Sequence, residues 1–278
     1  MPRNAGGHAA GLRAGPRVKL PGRFPEAPLG GERRLEVFAG LSVCVLVLIA
    51  LFVAIKTFAV WRRTRGLPEL LLGTMLVSAT VLGYPTAVAI TRIPPNEMWG
   101  LHVTSQALFT VGYACLLLFT LRVFRPSTLW ATCLAGATLL ALVATTVVYG
   151  IELRGENPRR PEEMFGLTLL SSGAIEIAYL WTAVESLRYY QQLRLRLRLG
   201  LTAAVVANRV LLWGLMSLAA GTAVIVSTGG LLAGSFMSPP IILTTSVLGL
   251  VHAGCLFLAF HPPAWYRGWL EREGATNS

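Results

Sequence analysis

Three groups of residues able to do chemistry stand inside long apolar stretches of this chain. They are Glu176, Asn208 with Arg209, and the histidines His102 and His252, the first with Gln106 one helical turn beyond it. Ionisable groups are costly to bury in hydrocarbon and usually face a bundle interior or a water-filled cavity, which makes them the default candidates for a binding site. Glu176 falls about eleven residues before the end of its stretch, and Arg209 about nine residues after the start of the next. On consecutive antiparallel helices those depths match. An ion pair, or a polar network shared with Asn208, is therefore expected, each charge lowering the burial cost of the other. The competing reading has Arg209 snorkelling to the headgroups and Glu176 hydrogen-bonded to a neighbouring hydroxyl.

Two histidines on different helices raise haem or metal ligation, but His102 and His252 stand at different depths and no third ligand accompanies them. Neither a metal nor another cofactor is expected. The expectation is a histidine hydrogen-bonded within a polar seam, with Tyr84, Tyr113 and Tyr179 as neighbours. Lys56, close to the end of its stretch, is expected to snorkel, and the last stretch holds no lysine for a retinal-type Schiff base. Catalysis is not expected either. Zinc-dependent seven-helix hydrolases use His and Asp together, this chain contains no Asp, and Ser171, Ser172, Glu176 and His252 form no recognisable constellation.

The elements that position these residues follow from composition. A soluble domain carries about a quarter charged residues; here 13% are charged and 54% hydrophobic. Such a chain needs a lipid solvent. Seven apolar stretches, at 35–61, 67–91, 98–121, 127–150, 162–187, 200–228 and 239–261, are each long enough to cross about 30 Å of hydrocarbon as a helix, and none shows the period-two alternation of barrel strands. The fold expected is an all-α, seven-transmembrane-helix bundle.

Local chemistry marks the boundaries. Pro68 with Glu69, and Pro161 with Glu162 and Glu163, suit helix starts. Asn96, Ser127 and Ser238 stand where N-caps are needed, Pro262 and Pro263 end the last span, and Trp61, Trp99, Trp130 and Trp265 fall at headgroup level. Pro85 predicts a kink in the second span, and Gly214, Gly221, Gly249 and Gly254 predict close helix packing. The four cysteines are expected to be small buried hydrophobes. Residues 1–34, rich in Gly, Pro and Arg, read as a disordered basic tail. Residues 262–278 read as a short interfacial helix and tail, with Trp265, Tyr266, Trp269 and Leu270 on one face.

The net charge of +11 serves topology and anionic headgroups rather than nucleic acid. Connections 62–66, 122–126, 188–199 and the segment after 261 together hold 11 Arg, against 4 in 92–97, 151–161 and 229–238. The positive-inside rule then places the C-terminus in the cytoplasm and the N-terminus outside, in a plasma (inner) membrane. The seven basic residues of 1–34 pull the other way.

The Arg63–Glu69 run Arg-Thr-Arg-Gly-Leu-Pro-Glu, the Phe260–Arg267 run Phe-His-Pro-Pro-Ala-Trp-Tyr-Arg and the helix count carry a loose resemblance over residues 35–270. The chain resembles the seven-helix sensor regions of some bacterial receptors and kinases, and standalone bacterial membrane proteins of the same layout. The resemblance implies a receptor-like or regulatory module that senses a small ligand; with no effector domain in the sequence, it would act through a separate cytoplasmic partner. Arg194, Arg196 and Arg198 in the 188–199 connection are the candidate partner surface, against a connection that only fixes topology. The alternative is a small-solute transporter with its site between two three-helix halves, for which Gly112–Phe119 and His252–Leu258 offer a weak internal match. The lipid bilayer is the one partner common to both, and the oligomeric state stays open.

Overall fold

The computed structural model describes residues 29–90, 93, 99–154, 164–235 and 238–276. Eight helices make up these residues: α1 (Leu29–Thr64), α2 (Leu67–Ile90), α3 (Trp99–Phe124), α4 (Leu129–Arg154), α5 (Phe165–Arg198), α6 (Ala204–Leu232), α7 (Pro239–Phe260) and α8 (Ala264–Thr276). The first seven are long and apolar enough to cross a membrane, and the described residues contain no strand. The all-α seven-helix bundle expected from composition is the fold. Its outer surface carries large apolar side chains such as Leu48, Leu140 and Ile151, which only lipid tails can cover without cost.

Each of the seven spans packs on the next in the chain, α7 closes back on α1, α3 crosses the middle to touch α5, and α8 packs on α6. The core runs along this centre through Val53, Leu76, Leu116, Leu117, Met216 and Leu256. Gly214 and Gly221 bring α6 against α5: a carbon added at Gly214 would meet Leu187 at 3.0 Å, and one at Gly221 would meet Glu176 at 3.2 Å. Gly249 and Gly254, expected to do the same for α7, face open space.

The second span departs from a plain α-helix. Its middle, Leu76–Gly83, winds as a π-helix, with the Tyr84 amide donating to Ala79 five residues back. Pro85 explains the location, because a proline has no amide hydrogen and its ring crowds the preceding turn, so the helix relaxes by widening just before it. Gly112 of α3 fits into this stretch. A carbon there would lie 2.5 Å from the Ala79 side chain, closer than two carbons can stand.

Several boundaries shift from expectation. α1 begins at Leu29, inside the segment read as a tail, and Arg33 and Arg34 are exposed on it; residues 1–28 lie outside the described residues, as do Asn96 and Pro161–Glu163. α4 opens at Leu129 behind Thr128, past Ser127. Ser238 does occupy the N-cap position of α7, but its side chain makes no capping bond. α5 continues eleven residues past the expected end, and α6 starts four residues later than expected. Cys44 and Cys133 lie on the exposed outer face, while Cys115 and Cys255 are half-buried.

Candidate functional site

The revised helix ends separate Glu176 from Arg209. Arg209 is only five residues inside α6, whereas Glu176 is twenty-two residues from the end of α5. The residue of α6 opposite Glu176 is Gly221, twelve residues beyond Arg209, or roughly 18 Å along the axis. The expected ion pair does not form. Arg209 instead donates from Nε to the carbonyl of Ala259 at 3.0 Å, satisfying one of the last carbonyls of α7, where a cation also meets the negative end of the helix dipole.

The companions expected for this pair are placed apart from it as well. Asn208 accepts from the Tyr266 hydroxyl at 3.1 Å and so anchors α8 to α6. His252 is buried, with Nδ1 3.2 Å from the carbonyl of Met216; since a carbonyl only accepts, Nδ1 carries the proton in that bond. His252 thus ties α7 to α6, a seam histidine as expected, but to backbone rather than to tyrosine. His102 is buried near the start of α3, with Gln106 half-buried one turn on. The described residues hold no group of three His, Cys or Glu side chains placed to bind a metal ion.

The tyrosines gather around Glu176. Tyr113 and Tyr179 meet edge to face with centroids 5.5 Å apart, and Tyr179 lies within electrostatic reach of Glu176 and Tyr84. Both Glu176 carboxyl oxygens are buried with no hydrogen-bond partner. This cluster joins α2 beside its π-helical stretch, α3 and α5 to the Gly221 gap of α6.

Glu185 was not among the candidate residues expected from the sequence. It is 3% exposed on α5 and accepts from Arg125 Nε at 2.9 Å, with Arg188 at 3.9 Å. One turn deeper, Thr120 and Thr182 share a hydrogen bond of 2.7 Å. The spacing of Glu185 to Arg188, one turn on the same helix, was the available signal.

A partly enclosed space lies at the arginine-rich end of the bundle. It is a half-open cleft of about 410 Å³, within the range of small-molecule sites. Lys56, Thr57 and Val60 of α1, Glu69 and Leu72 of α2, Phe119 and Val123 of α3, Tyr189 of α5, Arg209 and Trp213 of α6, and Phe260 of α7 line it. α4 contributes nothing. Lys56 does not simply reach outward: its Nζ lies 2.9 Å from His261 Nδ1 and 4.6 Å from the centre of the Phe52 ring. Of the residues singled out inside the apolar stretches, Arg209 belongs to the cleft, whereas Glu176, Asn208, His102, Gln106 and His252 lie outside its lining.

Beyond Tyr189, α5 runs on through Arg194, Arg196 and Arg198, all three exposed. Leu193 and Leu197 turn inward, while Leu195 and Leu199 are exposed one turn apart. The 188–199 connection is therefore helical as far as Arg198.

No protein-family model, curated protein or solved structure matches the chain, so its chemistry is read from these residues themselves.

Proposed function

We propose that this protein is a receptor-like regulatory membrane module, in which a small ligand in the cleft alters the packing of the surrounding helices and the change reaches a separate partner. The observation that carries this reading is the path of α5. Tyr189 borders the cleft, and the same helix continues without a break to the exposed Arg194, Arg196 and Arg198. A ligand that favours one packing of the bundle shifts the population of that packing, and a rigid helix end delivers the shift outside the bilayer. In this proposal the arginine-rich end faces the cytoplasm across a plasma (inner) membrane, in line with the short-loop charge count.

The test is capture of the tagged full-length protein from its native membrane, beside a variant carrying Arg194→Gln, Arg196→Gln and Arg198→Gln. Loss of a specific soluble partner from the variant, at unchanged thermal stability, is the expected result. An identical set of captured proteins removes the assigned surface.

A small-solute transporter is the second reading, favoured by one observation: the cleft is lined by α1–α3 and α5–α7 and not by α4, as a site between two three-helix halves requires. Glu176, Arg209 and His252 do not converge on one site for a solute. Solute flux in proteoliposomes that is abolished by Arg209→Gln would establish transport in place of signalling.

A further inference from the structure

We infer that the cleft binds a single-chain amphiphile with an anionic headgroup, the headgroup on Arg209 and Lys56 and the chain among Leu72, Phe119, Trp213 and Phe260. The inference rests on the receptor reading above for its consequence, because it names the ligand of that same site.

Charge selects an anion. Lys56 and Arg209 place two cations in the lining against the single carboxylate of Glu69, and Glu69 stands in the first turn of α2, where the positive end of the helix dipole already offsets it. Neither cation is used up. Arg209 commits Nε to Ala259, leaving the four N–H groups of its two terminal nitrogens; Lys56 meets His261 through one of its three donor positions. These contacts hold both side chains in place, so a headgroup would meet pre-positioned donors.

Apart from Pro68 and Thr57, whose hydroxyl is committed to the Val53 carbonyl, the remaining walls are aromatic or branched aliphatic, a surface suited to a hydrocarbon chain and not to a sugar or a free phosphate. Val60 and Val123, on the lining, are 46% and 40% exposed, so the cleft is open beside them, where a chain can enter.

The experiment uses the full-length protein in nanodiscs of neutral phospholipid. A monoacylglycerol phosphate carrying a photoactivatable group in its chain is cross-linked and the labelled residues are mapped by mass spectrometry. A monoacylglycerol with the same chain, and inorganic phosphate as competitor, serve as controls. Expected are labels on Leu72, Phe119 or Phe260, competition by a long-chain carboxylate, and apparent affinity roughly tenfold lower in Arg209→Gln, the size of one lost charge-assisted hydrogen bond. Should Arg209→Gln fail to fold, Leu72→Trp fills the chain end without touching charge and is expected to abolish labelling.

Equal labelling by the neutral monoacylglycerol overturns the inference, as does labelling confined to the outer surface. Competition by inorganic phosphate alone overturns the need for a chain. Ligand binding with no effect on partner capture upholds this inference and defeats the receptor reading; partner capture without ligand binding does the reverse.

Discussion

Arg125, in the connection between α3 and α4, donates to Glu185 of α5 at 2.9 Å, and the acceptor is almost wholly buried while the donor's side chain is a third exposed. Removing one partner strands the other, whereas removing both strands nothing. Arg125→Ala is expected to cost about 1.5–3 kcal/mol, and the double variant Arg125→Ala with Glu185→Ala to cost less than that single change. Thermal unfolding of the four proteins in one detergent measures the cycle, and additive losses would show that the two side chains act independently.

Glu176 has no such partner. Glu176→Gln removes no ion pair, so the thermal midpoint is expected to stay the same or rise. A fall as large as that of the Glu185 variant would reveal a cation at Glu176 and contradict the geometry described above.

Gly112 and Ala79 set the approach of α3 to the widened turn of α2. Gly112→Ala should destabilise by about 1–3 kcal/mol through overpacking. Adding Ala79→Gly removes the facing carbon and should recover part of the loss, less the roughly 1 kcal/mol that a glycine costs within a helix. If Ala79→Gly brings no recovery in thermal midpoint, the contact is not where the clash arises.

The Tyr266 to Asn208 bond anchors α8. Tyr266→Phe deletes one hydroxyl, worth about 0.5–1.5 kcal/mol, and should speed tryptic cleavage at Arg267 and Arg272 while leaving the bundle intact. Unchanged cleavage would assign the docking of α8 to Leu270, which is 8% exposed, rather than to the hydrogen bond.

Helix count and approximate spans were legible because lipid imposes a length and a composition on each span. Helix ends were less legible. At the start of α1 and the end of α5, helix persists into arginine-bearing residues that a hydropathy reading assigns to connections. That error propagated, since a match of depth between Glu176 and Arg209 depends on where α5 stops and α6 begins. The π-helical stretch was half legible: Pro85 announced a disturbance, but whether a helix kinks or widens depends on the neighbour that must fit, here Gly112. Lys56, Glu69 and Trp213 carry no shared sequence pattern, because the cleft unites six helices and only tertiary packing brings them together.

That last point bears on biogenesis. Lys56 and His261, 205 positions apart in the chain, are hydrogen-bonded across the α1–α7 seam at the rim of the cleft. During synthesis the first five spans are made before either Arg209 or Phe260 exists, so the nascent protein presents Lys56 and Glu69 on an unsealed groove open to lipid. The cleft comes into being only when the seventh span docks, and a ligand that fills it would act on the finished bundle as a fastener, slowing the loss of α7 and marking completed molecules apart from those still being assembled.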